Sequence, residues 1–91
     1  MTAKRDPAGD AELREAILTL ATGRGAEKTI CPSEVARHIG GNDETQWRPL
    51  MPIIRRLAVE LVAKGEVQIK KGGEVVDLDT FDGIYRIAIK T

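Results

Sequence analysis

The fold is decided by residues 30–65, which read ICPSEVARHIGGNDETQWRPLMPIIRRLAVELVAKG. Pro32 suits the first turn of a helix because the N–H that proline lacks has no partner there, and Glu34 can hydrogen-bond back to the residue before the helix. Gly40 and Gly41 can adopt the left-handed conformation that ends a helix. The pattern predicts a helix of about two turns, the second in the chain.

A longer third helix follows, and it carries the clearest core face. Asp43 supplies a capping oxygen, and Gly65 supplies the stop. Pro49 and Pro52 place the start of the regular helix near residue 49, with residues 44–48 as a turn or kinked preamble. At about 100° per residue, five apolar side chains fall in one sector of the width expected for a packed helix: Leu50, Ile53, Ile54, Leu57 and Leu61.

A first helix is predicted upstream of this stretch, over residues 10–22. Its apolar residues recur at helical spacing, Asp10 can cap its start, and Gly23 suits a left-handed stop. Residues 29–31 follow a polar loop and are too few for more than a short bridging strand. This strand would lie between the first and second helices.

Downstream of the third helix the apolar period changes from helical to alternating. Val67 and Ile69 share one face of a strand, residues 71–73 make a tight reversal, and residues 74–78 return. A last strand is predicted over residues 84–89, with its odd-numbered residues on one face. The C-terminal part of the domain is therefore predicted to be a β-hairpin with one further strand.

The order of these elements is that of a winged helix-turn-helix: three helices, the second turned sharply into the third, and then a β-hairpin region. The predicted fold class is α+β, mainly α, with three helices and a small antiparallel sheet. The 91 residues leave room for one core. We expect residues 1–9, which are polar and aperiodic, to form a flexible arm and residues 10–91 to form a single winged-helix domain.

The composition favours a packed protein without indicating a partner. Hydrophobic residues make up 42% of the chain and charged residues 31%, and 14 Lys and Arg balance 14 Asp and Glu. Net charge alone therefore predicts neither nucleic acid nor an anionic membrane as a partner. Cys31 is the one cysteine and cannot form an internal disulfide, and no apolar run is long enough for a transmembrane helix or signal peptide. These features predict a cytoplasmic protein.

The charges are nevertheless segregated along the chain. Residues 24–71 hold nine basic and six acidic side chains. The remainder carries the compensating acid, much of it at Glu74, Asp77, Asp79 and Asp82. Such segregation is what a one-sided binding surface needs.

Two central motifs also carry a resemblance to a known family. They are ICPSEVAR at residues 30–37 and WRPLMP at residues 47–52, and they occur with Arg55-Arg56, GEV at residues 65–67 and GIYRI at residues 83–87. Together they resemble a bacterial domain-of-unknown-function family of small winged-helix proteins. The resemblance covers most of the chain, and it implies a winged-helix fold in a cytoplasmic bacterial protein but no activity or site residues.

Arginines on the outward face of the third helix are the strongest functional signal. Arg48, Arg55 and Arg56 lie opposite or beside the core stripe. In a winged helix-turn-helix this helix can enter the major groove of double-stranded DNA, where guanidinium groups contact phosphates and guanine. Lys70 and Lys71 at the hairpin could touch phosphate or simply form a solvated hairpin end. We predict DNA binding and transcription regulation, and a dimer or larger partner to offset the weak binding of so small a monomer.

A different function remains open on the same sequence, because exposed helix faces are often arginine-rich for solvation alone. The alternative is a protein-protein interaction or structural module without nucleic-acid binding. Met51, Val59, Val62 and the acidic loop would then contact a protein partner or a second copy. No nucleophile, base and orienting group occur together, so we expect no enzyme activity and no cofactor.

The remaining chemically distinctive residues favour structural interpretations. The aspartates at 77, 79 and 82 have part of the spacing of a calcium loop but lack its glycine and distal glutamate, so an Asp-rich turn is favoured. His38 and Cys31 have no further ligands near them in sequence, and no metal is predicted. Trp47 is predicted to cover the core rather than to stack on a base.

Overall fold

A computed structural model of the chain describes residues 9–76 and 84–90. Four α-helices precede three strands, and a 3₁₀ turn at Arg48–Leu50 joins the third helix to the fourth. The helices are α1 (Asp10–Arg24), α2 (Pro32–Gly40), α3 (Glu44–Trp47) and α4 (Met51–Ala63), and the strands are β1 (Val67–Lys71), β2 (Glu74–Val75) and β3 (Arg86–Ile89). The strands form one antiparallel sheet in the order β2-β1-β3. The predicted α+β class, with three main helices and a small antiparallel sheet, is confirmed.

Helix α1 begins at the predicted residue, but its predicted cap and its predicted end need correction. Asp10 is the first residue of the helix and Gly9 occupies the cap position, and the Asp10 carboxylate accepts hydrogen bonds from Arg56. The helix also runs through Gly23 to Arg24, and its C-cap is Gly25, which has a φ of 95°. The Gly25 N–H donates to the carbonyls of Ala21 and Thr22, so the left-handed stop lies two residues later than predicted.

The start of α2 matches the prediction. Pro32 is its first residue, and the Cys31 N–H donates to Glu34 Oε2 at 3.1 Å. At its other end Gly41 has a φ of 84°. Glycine reaches this conformation without the steric penalty that a Cβ brings.

The predicted preamble to the third main helix is α3 followed by the 3₁₀ turn. The Thr45 N–H donates to Asp43 Oδ1 at 3.0 Å, which caps α3. Pro49 lies in the 3₁₀ turn and Pro52 in the first turn of α4, where a missing backbone donor does least harm. The regular helix begins at Met51, close to the predicted residue 49.

The sheet is built around β1. Gly72 and Gly73 connect it to β2 with φ angles of 61° and 86°, and two successive positive values are what a two-residue type I′ hairpin loop requires. Within the described residues the returning strand is only Glu74–Val75, shorter than the predicted 74–78, of which 77 and 78 lie outside the described part. β3 begins at Arg86, two residues later than predicted.

The predicted strand at residues 29–31 is a single bridge between Ile30 and Ile87. Ile30 N–H donates to Ile87 O at 2.8 Å, and Ile87 N–H donates to Ile30 O at 2.9 Å. The spatial order is therefore the Ile30 bridge, β3, β1 and β2. The bridge fastens the connection between α1 and α2 to the last strand.

The core lies where α1, α2 and α4 meet each other and one face of the sheet. Of the predicted stripe on α4, Leu50, Ile54, Leu57 and Leu61 are buried, whereas Ile53 is half-buried. The buried residues of the first two helices are Leu13, Ala16, Ile17, Ala21, Pro32, Val35 and Ala36. The sheet contributes Val67, Ile69, Tyr85 and Ile87. The predicted arm, residues 1–9, lies outside the described residues except for Gly9.

Candidate nucleic-acid interface

The two sides of α4 differ in the way a groove-binding helix requires. Its inner side is sealed, because Ile54, Leu57 and Ala58 have no exposed surface. Its opposite side is open at Pro52 and Arg56, while Arg55 is half-buried on one flank. The inward orientation of the apolar side, on which the predicted interface depends, is confirmed.

Two of the predicted contact residues are held by carboxylates. Arg48 forms an ion pair with Glu44, one helical turn earlier. Arg56 Nη2 lies 3.1 Å and 3.0 Å from the two carboxylate oxygens of Asp10, which ties α4 to the start of α1. All four side chains are about half exposed or more. Exposed pairs of this kind contribute only about 0–1 kcal/mol, so a phosphate can replace either carboxylate at little energetic cost.

Arg55 lies close enough to Tyr85, the residue before β3, for its charge to act on the phenol. Burial raises the pKa of Tyr85 to about 12, the positive charge of Arg55 acts in the opposite direction, and Cys31 adds to the increase. Tyr85 is 7% exposed. Together with Cys31, Pro32, Met51 and Ile84 it lines a cleft of about 170 Å³ between α4 and the start of β3.

The buried phenol gives a direct test of this part of the structure. Tyr85 is the one tyrosine in the chain, so phenolate absorbance reports it alone. We expect a midpoint near pH 12 in the native protein and near pH 10 in urea. Because the folded pKa is the higher of the two, the contribution of Tyr85 to stability is complete below about pH 10 and is lost as the pH rises toward 12. A midpoint near 10 with a native circular dichroism spectrum would contradict the burial.

The two lysines predicted to contact phosphate, Lys70 and Lys71, point to opposite faces of the sheet. Lys71 is exposed at the end of β1 beside the glycine loop, opposite Glu74. Lys70 points to the other face of the sheet and lies directly across from Arg86 of β3. The structure therefore places Lys70 with a basic residue that sequence reasoning did not select.

Arg86 belongs to a hydrogen-bonded cluster around Thr29, which we call the Thr29 cluster (Arg24, Thr29, Glu34 and Arg86). Arg86 Nε donates to Thr29 Oγ1 at 2.5 Å, and its Nη2 donates to the Thr29 carbonyl at 3.3 Å. Arg24 Nη1 donates to the same carbonyl at 3.0 Å, and its Nη2 lies 2.6 Å from Glu34 Oε1. Two guanidinium groups thus meet at one oxygen beside one carboxylate.

Glu34 links this cluster to the start of α2. Burial alone would raise the pKa of Glu34, but the hydrogen bonds from Cys31 and Arg24 and the charges of Arg24 and Arg86 outweigh it and lower the pKa below 4.5. The ionised carboxylate therefore stabilises the fold above about pH 4.5, and this contribution is lost as the pH falls through the lowered pKa. Glu34 therefore has two roles: it caps the start of α2, as predicted, and it interacts electrostatically with Arg24 and Arg86, which are distant in sequence.

Structural roles were predicted for Trp47, Cys31 and His38, and the structure places these residues as follows. Trp47 is half-buried against the core, and the Arg37 guanidinium lies 5.5 Å from the centre of its ring. Cys31 precedes α2, with its Sγ 3.1 Å from Ser33 Oγ, and His38 is in the last turn of α2. Among residues 9–76 and 84–90, no three His, Cys, Asp or Glu side chains form a group that could hold a metal ion. The aspartates at 77, 79 and 82 lie outside this part.

Three further findings bear on the identity of the chain. In the part of the chain that the structure describes, no helix has both the length and the apolar character needed to cross a bilayer. A comparison with curated proteins gave no match. A protein-family model described as Protein of unknown function (DUF3253) matches residues 10–90. Since the match runs from the first residue of α1 past the end of β3, the chain belongs to the DUF3253 family, and the predicted resemblance to a domain-of-unknown-function family is confirmed.

Proposed function

We propose that the chain is a small bacterial, cytoplasmic winged helix-turn-helix module that binds double-stranded DNA and acts in transcription regulation. The element order supports the fold assignment: α2 turns through α3 into α4, and β3 lies between β1 and the Ile30 bridge. The hairpin after β1 takes the position of the wing. Binding rather than catalysis is proposed because the candidate residues are cations on a surface.

One observation carries the proposal, and it is the orientation of α4. The helix buries its apolar side, while Arg56 on its other side and Arg48 in the preceding 3₁₀ turn are exposed and Arg55 is half-buried. An arginine stays charged and offers a planar fork of donors to phosphate or guanine. The acidic partners Asp10 and Glu44 lie at the surface too, so duplex phosphates can exchange with them.

Charge reversal on α4 tests the proposal. A fluorescently labelled duplex of mixed sequence is titrated with wild type, Arg55→Glu and Arg56→Gln, and anisotropy is measured at about 50 and 200 mM salt. We expect wild type to bind, Arg55→Glu to bind about tenfold or more weakly, and each lost contact to reduce the salt slope by about 1. Lys90→Glu is the matched control because Lys90 is exposed and follows the far end of β3.

The outcomes separate clearly once folding is verified by circular dichroism. Wild-type protein that does not bind the duplex at the lower salt concentration overturns the proposal. Equal weakening by Lys90→Glu and Arg55→Glu would mean that net charge rather than α4 determines binding. Arg56→Gln serves as the second variant because Arg56 is more exposed than the half-buried Arg55.

A second candidate function, contact with a protein partner or a second copy, is favoured by two exposed apolar side chains. Ile84 is 84% exposed and Val75 is 58% exposed. The residues predicted for this contact, Met51, Val59 and Val62, are half-buried against the core, so Ile84 is the better anchor. Sedimentation velocity of wild type and Ile84→Ser distinguishes a dimer that depends on this side chain from a monomer.

A further inference from the structure

The outer face of the sheet carries a row of positive charge that α4 does not account for. Lys70 and Arg86 are directly opposite partners in the β1–β3 register, which places their Cβ atoms about 5 Å apart on one face. Arg24 follows on the far side of Arg86, where both guanidinium groups donate to the Thr29 carbonyl. We call Lys70, Arg86 and Arg24 the sheet-face row.

This row is under-neutralised among the described residues. Glu34 forms an ion pair with Arg24 at 2.6 Å, and it is the one carboxylate of the Thr29 cluster. Neither Lys70 nor Arg86 forms an ion pair with a carboxylate in residues 9–76 and 84–90. Like charges directly opposite on neighbouring strands destabilise a sheet. The Lys70–Arg86 pair is therefore unfavourable for the stability of the sheet, and residues that are locally unfavourable for the fold are expected at functional positions.

The Arg86 guanidinium is also fixed in place before any ligand arrives. Its Nε and Nη2 are both committed to Thr29, so the group is oriented while its side chain remains exposed. An oriented guanidinium loses less conformational entropy on binding than a freely rotating one. The oxygens of a phosphodiester can accept from Arg86 and Lys70 together, which would relieve the repulsion between them.

We infer that Lys70 and Arg86 of the sheet-face row form a phosphate-contact site, at which they jointly bind the backbone of duplex DNA. The inference rests on the proposed function for the identity of the ligand, and it adds Arg86 to the contact surface. It also gives Lys70 a partner other than Lys71. Arg24, which Glu34 neutralises, serves as a positioning residue that holds the Thr29 carbonyl beside Arg86.

The test combines binding and stability measurements on Lys70→Gln and Arg86→Gln. Each variant is expected to bind the labelled mixed-sequence duplex about three- to tenfold more weakly at about 50 mM salt, and to reduce the salt slope by about 1. Lys70→Gln should raise the melting temperature of the free protein at low salt, and the gain should fade at high salt as repulsion is screened. If Lys70 had only a structural role, its replacement would not both raise the melting temperature and weaken duplex binding.

Lys90→Gln is the matched control, since it also removes one positive charge, just after the end of β3 that lies away from Arg86. Arg55→Gln reports on binding through α4. Duplex binding that Arg55→Gln weakens and that Lys70→Gln and Arg86→Gln leave at the level of Lys90→Gln overturns the sheet-face site alone. Absence of wild-type binding overturns the proposed function instead. If Arg86→Gln fails to fold because Thr29 loses its partner, Lys70→Gln still decides.

Discussion

Leu57→Ala is expected to lower the free energy of unfolding by about 3 kcal/mol, within the range of about 2–5 kcal/mol for buried Leu→Ala changes. Leu57 has no exposed surface and lies on the inner side of α4. That side packs on α1, α2 and β1 together, so no single neighbour can move in to fill the cavity. The loss is a large part of the total stability of a small domain, which is about 5–15 kcal/mol.

Urea unfolding followed by circular dichroism and by Trp47 fluorescence measures this loss. Trp47 is the one tryptophan, and agreement between the two probes would show a two-state transition. Leu57→Met is the control, because it nearly conserves volume and should lose less than about 1.5 kcal/mol. A loss below about 1 kcal/mol for Leu57→Ala would mean that the inner side of α4 is not packed as described.

Gly40→Ala and Gly23→Ala are expected to change stability in opposite directions. Alanine normally stabilises a helix relative to glycine by about 0.5–1 kcal/mol. Gly23 follows this rule because a Cβ there would meet no atom within 4 Å outside its own turn of helix. We therefore expect Gly23→Ala to raise the free energy of unfolding by that amount.

Gly40 differs because the chain after α2 passes against it. A Cβ at this position would lie 3.0 Å from the Gln46 carbonyl oxygen and 3.1 Å from Trp47 Cα. Both are backbone atoms and cannot rotate away, so α3 must shift. We expect Gly40→Ala to lower the free energy of unfolding by about 1–3 kcal/mol. Urea titrations of both variants test the pair, and stabilisation by Gly40→Ala would show that α2 and α3 do not approach so closely.

Local signals were sufficient for most of the fold. Pro32 and Glu34 predicted the start of α2 because both act within one turn of helix, and the alternation of Val67 and Ile69 predicted the buried face of β1. The end of α1 was predicted wrongly because Gly23 and Gly25 are equally able to end a helix. Only Gly25 adopts a positive φ, and the choice between them depends on packing beyond the helix itself.

The candidate site was less accessible to sequence reasoning. The arginines of α4 follow from helical periodicity, but the pairing of Arg56 with Asp10 joins residues 46 positions apart. The opposition of Lys70 and Arg86 depends on the register of β1 and β3, two strands that are not consecutive in the chain. No pattern within either strand specifies that register, although a charged residue on the outward face of each strand was visible.

The Ile30–Ile87 bridge has a consequence for how the protein is made. During synthesis the four helices leave the ribosome before β3, yet Ile30, in the segment between α1 and α2, makes its backbone hydrogen bonds with Ile87 of that last strand. Contacts between residues so distant in the chain slow folding, because the intervening loop must close first. The part of α1 that packs on β3 can therefore be covered by that strand only after residues 86–89 have been made.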